Sequence, residues 1–342
     1  MRNLFIIIAL LTTLTTGSYA QIIDRDAMRK QDAAVIALGP ISSGGYKDIV
    51  NKLQNVAHGE PVMMARAIYT WIATNVDFDC KAARHPKHHL TNALTALNDR
   101  ASTAEGYTDL YKTLCDLAKI KCITIEGYGK SNTYGIGDMY DRDRHVWNAV
   151  CINNKWFLVD PTWAAGTTDV HLWKFNKAYT EAWFFPDNKL FAYSHFPDNK
   201  KMQYIDTPVT AVVYNRSPVV GAAAVQYHIR MDKTVNGNLT GTQGRTKHFV
   251  FQIDDTSVVH SVTVSFEKMA AVPAPYKLKE NILEIDMPLL ASGSVPAFLY
   301  VNNTLAFAFK ADIDRASRSD KEKDNVKTKG EQKKDAATLK KL

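Results

Sequence analysis

Apolar residues recur at helical spacing through the first two thirds of the chain and alternate over short runs in the last third, and that change of period divides it. From Pro61, a residue suited to a first helical position, Met64, Ala67/Ile68 and Trp71/Ile72 form one stripe that predicts a helix facing a core. Tyr107, Leu110, Tyr111, Leu114 and Ala118 form a second stripe. Ahead of it, Ser102-Thr103-Ala104-Glu105 has the S/T-x-x-E spacing of a capping box, which predicts a helix start at residues 103–105. Residues 123–128, β-branched and aromatic, read as a strand, and a polar loop follows over 129–144. Residues 145–152 and 155–159 read as two strands closed by the tight turn Asn153-Asn154. The order helix, strand, loop, hairpin predicts an α+β domain rather than repeating βαβ units.

Before this block, residues 21–59 show helical patches broken at Gly39-Pro40 and Gly44-Gly45. After about residue 206, short β-rich runs follow one another at 209–214, 224–231, 248–253, 258–266, 282–285, 297–301 and 305–309. Turns such as Asn236-Gly237-Asn238 and Ser292-Gly293-Ser294 separate them. Short strands without helices predict an all-β sandwich of immunoglobulin-like kind. The expected organisation is therefore a signal (1–20), an N-terminal helical extension (21–59), an α+β domain (60–206), a β-sandwich (207–310) and a charged tail (311–342), disordered or a frayed helix.

The signal reading rests on Arg2, the apolar run 4–11 and small residues leading to Ala20, after which cleavage is expected. That run is well short of the roughly 20 residues a spanning helix needs, and no later segment reaches that length, so the expectation is a protein that does not span a membrane and is secreted or periplasmic. The formal net charge is +7, but residues 311–342 alone hold ten Lys/Arg against seven Asp/Glu. The remaining excess is too small to argue for nucleic-acid binding. Four cysteines, Cys80, Cys115, Cys122 and Cys151, do not make a disulfide scaffold; Cys115 and Cys122 have the spacing best suited to one bridge. The oligomeric state stays open.

Three motifs carry candidate chemistry: Ala104-Glu105-Gly106-Tyr107-Thr108-Asp109-Leu110, His145-Val146-Trp147-Asn148-Ala149-Val150, and Val159-Asp160-Pro161-Thr162-Trp163-Ala164-Ala165-Gly166. In this order and spacing they resemble the transglutaminase-like superfamily, of papain-type fold, in the branch related to kyphoscoliosis peptidase. Ile68-Tyr69-Thr70-Trp71-Ile72, Asp77-Phe78-Asp79, Phe184-Phe185-Pro186-Asp187 and Tyr193-Ser194-His195-Phe196-Pro197 extend the resemblance over residues 60–206. The resemblance implies a thiolate nucleophile at a helix N-terminus, a histidine that accepts its proton and an aspartate that fixes the histidine's tautomer. Matched motif by motif, the histidine is His145, the aspartate Asp160, and the nucleophile position is occupied by Ala104, whose methyl group cannot attack. Tyr107, Trp147 and Asn148 are the expected ligand contacts beside the cleft.

Other residues do not replace the missing thiol. Ser102 and Thr103 lie one or two positions off, and Cys115 lies three helical turns on, about 16 Å along the axis. The His145–Asp160 pair also has a purely structural reading, as does packing for Trp163. Asp77, Asp79, Cys80, His85, His88 and His89 crowd one span, yet their spacing fits no closed zinc motif, so neither metal nor cofactor is expected. The function expected is that of a secreted pseudoenzyme binding a peptide, protein or cell-envelope component. The alternatives are an active cysteine-type peptidase or transamidase with an unconventional nucleophile or a mutated cysteine, and a structural envelope protein.

Overall fold

The computed structural model describes residues 24–41, 44–85, 91–133, 135–138, 143–169, 171–232 and 235–317. The expected signal and all of the expected tail beyond residue 317 lie outside them, as do His88 and His89.

Asp24 opens the first helix, α1 (Arg25–Leu38), by accepting the backbone N–H groups of Asp26 and Ala27, and Gly39, at φ 60°, ends it. Helix α2 (Gly45–Ala57) starts after Gly44 and closes at His58, so both expected glycine breaks are helix ends. Helix α3 (Pro61–Asn75) has its proline in the first turn. The sequence stripe foresaw one buried face on α3, whereas every residue from Met64 to Ala73 is buried, because α1, α2 and the helices described below surround it.

That complete burial includes Arg66. Its guanidinium forks onto Asp32 of α1 (Nε to Oδ1 3.0 Å, Nη2 to Oδ2 2.6 Å) and reaches Glu181 at 3.5 Å. The same Asp32 accepts the hydroxyls of Thr70 (2.7 Å) and Tyr179 (2.9 Å). The N-terminal extension is thus locked to the domain by a buried ion network.

A short parallel pair, β1 (Asp77–Phe78) and β2 (Ala101–Ser102), brackets α4 (Cys80–Arg84) and α5 (Ala93–Asp99) and delivers the chain into α6 (Ala104–Leu117). The capping box does not form. Ser102 is spent in β2 with its hydroxyl buried and unpartnered, and the N-cap is Thr103, whose Oγ1 donates to Glu105 Oε2 (2.5 Å) rather than accepting a backbone N–H. Gly106 allows this approach: a Cβ there would stand 1.9 Å from Ser102 Oγ. Tyr107 and Tyr111 then pin α6 to the α3 region through Val76 O (2.6 Å) and Ala65 O (3.2 Å).

An antiparallel sheet follows in the order β5-β4-β3-β8, built from β3 (Lys121–Gly129), β4 (Arg144–Ile152), β5 (Lys155–Val159) and β8 (His195–Pro197). Asn153 and Asn154 take φ 52° and 60°, the left-handed geometry that the β4–β5 hairpin requires. Between β5 and β8 come α7 (Pro161–Ala165), the hairpin β6 (Gly166–Thr168) and β7 (Phe175–Lys177), and α8 (Asn188–Ser194). A Cβ on Gly127 would stand 2.3 Å from Phe196 O, so glycine there lets β8 close on β3.

Two expected strands are corrected beyond this point. Residues 209–214 contribute to α9 (Ala211–Arg216), because Thr210 accepts the N–H of Val213 as N-cap. After β9 (Val219–Val220), the run begun at 224 lies first in α10 (Ala222–Gln226), an alanine-rich stretch of high helix propensity, and only its end forms β10 (Arg230–Met231). The remaining strands are β11 (Asn238–Thr242), β12 (Thr246–Gln252), β13 (Val262–Phe266), β14 (Val272–Pro273), β15 (Tyr276–Lys279), β16 (Ile282–Pro288), β17 (Gly293–Val301) and β18 (Thr304–Asp314). They form a β10-β12-β16-β15 sheet and a β11-β18-β17-β13-β14 sheet with β9 on β18. Phe249 and Phe251 of β12 stack on Phe309 and Phe307 of β18 at 5.2 and 4.9 Å, closing the sandwich core. Strand β18 runs on to Asp314, past the expected tail start, because Ala311 and Ile313 still alternate inward.

At the exit of β3 sits Lys130, fully buried, with Nζ donating to the carbonyls of Tyr214 and Ser217 (3.1 Å) and lying 4.3 Å from the Tyr214 ring centroid. Burial pushes its ammonium down to about 7. Because the folded value lies below the unfolded one, stability gained through Lys130 rises with pH from about 7 toward 10 and is absent below that window. Chemical denaturation at pH 6.5 and 9 should show a difference that Lys130→Met reduces. Arg66→Met should cost about 3–5 kcal/mol in the same assay, since it strands the buried Asp32 carboxylate.

Candidate functional site

Ala104 is the first residue of α6, with its methyl group nearly buried. Helix α6 packs against β4, which holds His145, and against α7, which Asp160 caps. Asn148 Nδ2 of β4 donates to Thr108 O of α6 (3.1 Å), and Thr108 Oγ1 donates back to Ala104 O (2.9 Å), so the start of the helix is tied to the sheet.

His145 and Asp160 meet as expected. Strand β4 carries His145 near its start, and Asp160 directly follows β5 and caps α7. Nε2 of His145 lies 2.7 Å from Asp160 Oδ2. The other carboxylate oxygen, Oδ1, accepts the backbone N–H groups of Thr162 (2.8 Å) and Trp163 (3.0 Å). Motif order explains this: Asp-Pro-Thr-Trp is an N-cap, a first-turn proline and the two residues whose amides need an acceptor.

The sequence reading missed a third partner. His195, the first residue of β8, is fully buried and places Nε2 3.0 Å from the same Asp160 Oδ2, while its Nδ1 lies 2.8 Å from Ser194 Oγ. Each carboxylate oxygen therefore has two partners. Burial would raise the Asp160 carboxyl, but the two histidines outweigh it and hold the group far below the usual carboxylate range. His195 goes the opposite way: burial pushes it down to about 4 despite Asp160, so it is a neutral imidazole at ordinary pH. Phe191 stacks on its ring at 3.8 Å, with Trp163 at 4.3 Å and Trp147 at 5.1 Å. The signal for this residue lay in the Tyr193-to-Pro197 segment, but a lone histidine there has no spacing relation to the motifs.

His145 lies between two indoles, Trp163 at 5.3 Å and Trp147 at 6.0 Å. The three expected ligand contacts are all interior. Tyr107 is 0% exposed with its hydroxyl on Val76 O, Trp147 is 1% exposed and Asn148 0%. As they stand, these side chains hold the walls of the site rather than reach its opening. Trp147 Nε1, Asn148 Oδ1, Thr162 Oγ1 and Ser102 Oγ are buried without partners, a concentration of unpaired polar atoms around the motifs.

His145, Asp160 and His195 form the one grouping among the described residues whose donor atoms lie close enough to hold a metal ion. Both imidazole nitrogens aim at one carboxylate oxygen, so a metal would first have to break both hydrogen bonds. Elsewhere, Asp77 bonds Lys177 (2.5 Å) and Asp79 caps Ala82 (2.8 Å) instead of converging on Cys80 and His85. All four cysteines are free, so Cys115 and Cys122, the pair best spaced for a bridge, are not joined; Cys122 Sγ lies 3.8 Å from Ile123 O.

This geometry and fold define a transglutaminase-like domain of papain-type architecture. Residues 48–161 match the Transglutaminase-like superfamily (Transglut_core), and the chain carries a domain of that superfamily. Among proteins it is similar to, kyphoscoliosis peptidase of Mus musculus is 31% identical over 206 residues, covering 58% of this chain and 31% of that protein. The Homo sapiens protein of that name is 31% identical over 209 residues, covering 59% and 32%. Lim and transglutaminase domain protein ltd-1 of Caenorhabditis elegans is 26% identical over 219 residues, covering 57% and 29%. The chain thus spans about a third of the length of the curated relatives it matches. A solved putative cysteine protease from Cytophaga hutchinsonii aligns at 20% identity and a TM-score of 0.24 over 42% of this chain and 44% of that one, too low a likeness to carry an argument.

Because His195 has a folded value near 4, below the ordinary histidine value, the unfolded chain binds more protons between pH 6.5 and 4 and stability falls as pH drops through that window. The denaturation midpoint should decline over this range, and His195→Gln should flatten the decline.

Proposed function

We propose that the protein is an exported transglutaminase-like pseudoenzyme whose retained cleft binds a peptide, protein or cell-envelope component. The observation that carries this reading is the assembled His145–Asp160 pair beside a helix that begins with a methyl group at Ala104. The pair, its second histidine and the N-cap of α7 form a complete network, so the arrangement that would orient a general base is maintained where no thiol stands to use it. Binding does not need the nucleophile, since recognition and chemistry rest on separable interactions. The unpaired polar atoms of Ser102, Trp147, Asn148 and Thr162 support the same reading, because proteins keep such costs mainly where a site requires them. Export is supported by the N-terminal pattern of Arg2, the apolar run and the small residues up to Ala20.

The test compares the mature protein with Ala104→Cys, each treated with an electrophilic peptide probe and assayed for amide turnover. The unmodified protein should neither label at this position nor turn over. Ala104→Cys should label, and adding His145→Ala should slow labelling by roughly 10²-fold or more, the usual scale of losing a general base. Turnover by the unmodified protein that disappears in His145→Ala would overturn the pseudoenzyme reading.

A further inference from the structure

The β6–β7 hairpin tip presents the most exposed large apolar side chain among the described residues: Trp173, 69% exposed. It is held rather than loose. Asp169 accepts the backbone N–H groups of His171 (3.0 Å), Trp173 (2.9 Å) and Lys174 (3.0 Å), and its own N–H returns to Lys174 O (3.1 Å). Across from the tip, Arg84 of α4 lays its guanidinium 4.1 Å from the indole centroid and donates to Leu172 O. One indole face is thereby occupied, and the side chain still leaves most of its surface to solvent. An ordered, exposed Trp–Arg pair is the composition of a binding hot spot.

Charge says what would dock there. Asp169, at the exposed hairpin tip, and Asp79 are both held by backbone amides, Asp79 by Ala82 N. The cations are not so engaged. Arg84 has no carboxylate partner among the described residues, and Lys81 and Lys174 are exposed. Around the aromatic platform the cations outnumber the carboxylates, Lys81, Arg84 and Lys174 against Asp79 and Asp169, with Asp77 and Lys177 paired to each other. Its place in the fold is equally informative. Phe175 at the base of the hairpin lies 6.3 Å from Phe78 of β1, β1 pairs with β2, and β2 leads directly into Ala104. The rim therefore stands one short strand pair away from the start of α6.

We infer that Trp173 and Arg84 form a docking rim for an acidic peptide segment, in which a carboxylate side chain pairs with the Arg84 guanidinium and a neighbouring apolar or aromatic side chain packs on the indole. This deepens the proposed function and rests on it: the ligand of the cleft is a polypeptide carrying acidic residues beside the segment that enters.

The experiment measures fluorescence anisotropy of labelled dodecapeptides against the full mature protein. One peptide alternates Glu with Phe, its counterpart alternates Lys with Phe, and a neutral panel varies the apolar residue. Trp173→Ala and Arg84→Gln are compared with the unmodified protein, each verified by circular dichroism; both sites are on the surface, so the fold should persist. The Glu peptide should bind more tightly than the Lys peptide, weaken as salt is raised, and lose about tenfold or more in affinity in each variant. Peptide binding that is indifferent to both variants would overturn the rim while leaving the peptide-binding cleft standing. Failure of every peptide to bind would overturn both. Equal binding of the Lys peptide, binding of a single-stranded oligonucleotide in preference to the Glu peptide, or self-association lost in Trp173→Ala would each assign this surface to a different occupant and overturn the inference.

Discussion

The Asp160 carboxylate is the constraint on which the rest of the site depends, because it is fully buried and must find all of its hydrogen-bond donors inside the protein. It finds them in two places at once. Oδ1 caps α7 through the amides of Thr162 and Trp163, while Oδ2 takes His145 from β4 and His195 from β8. One side chain thereby fixes the position of a helix and of two strands that are not neighbours in the sheet. Trp163 and Trp147 pack against the imidazoles that this network fixes.

Two other buried charges show what distinguishes this arrangement. Asp32 is matched by the Arg66 guanidinium and two hydroxyls, so it fastens α1 to the domain as an ion pair. Lys130 is met by carbonyl dipoles and an aromatic ring, and burial brings its ammonium down to about 7. Asp160 lies between these cases. It is met by two backbone amides and two imidazoles, one of which, His195, burial keeps uncharged. A carboxylate in that setting orients both imidazoles, which suits the role the superfamily resemblance gives it.

The secondary structure of the domain was largely legible because its signals are local. Pro61 at a helix start, Asn153-Asn154 at a hairpin and the alternation in β12, β16 and β18 each rest on neighbouring residues. The errors arose where a local signal had competing uses. Ser102-x-x-Glu105 reads as a cap, but pairing with β1 took Ser102 first. Residues 209–214 have the composition of a strand, yet none of the described strands pairs with them and a threonine cap starts a helix at Ala211.

The sequence by itself determined the order of elements, the motif residues His145 and Asp160, and the alanine that begins α6. Those follow from side-chain chemistry and short-range periodicity, which the order of residues contains directly. Only the tertiary structure decided that His195 shares Asp160 with His145, that Tyr107, Trp147 and Asn148 are walls rather than contacts, and that Trp173 stands exposed against Arg84. Each of these depends on which of several chemically suitable residues the packing brings within about 3–5 Å of one another. No spacing along the chain encodes that choice, because strands β4 and β8 meet through the sheet and α4 meets the hairpin tip across a turn of the fold.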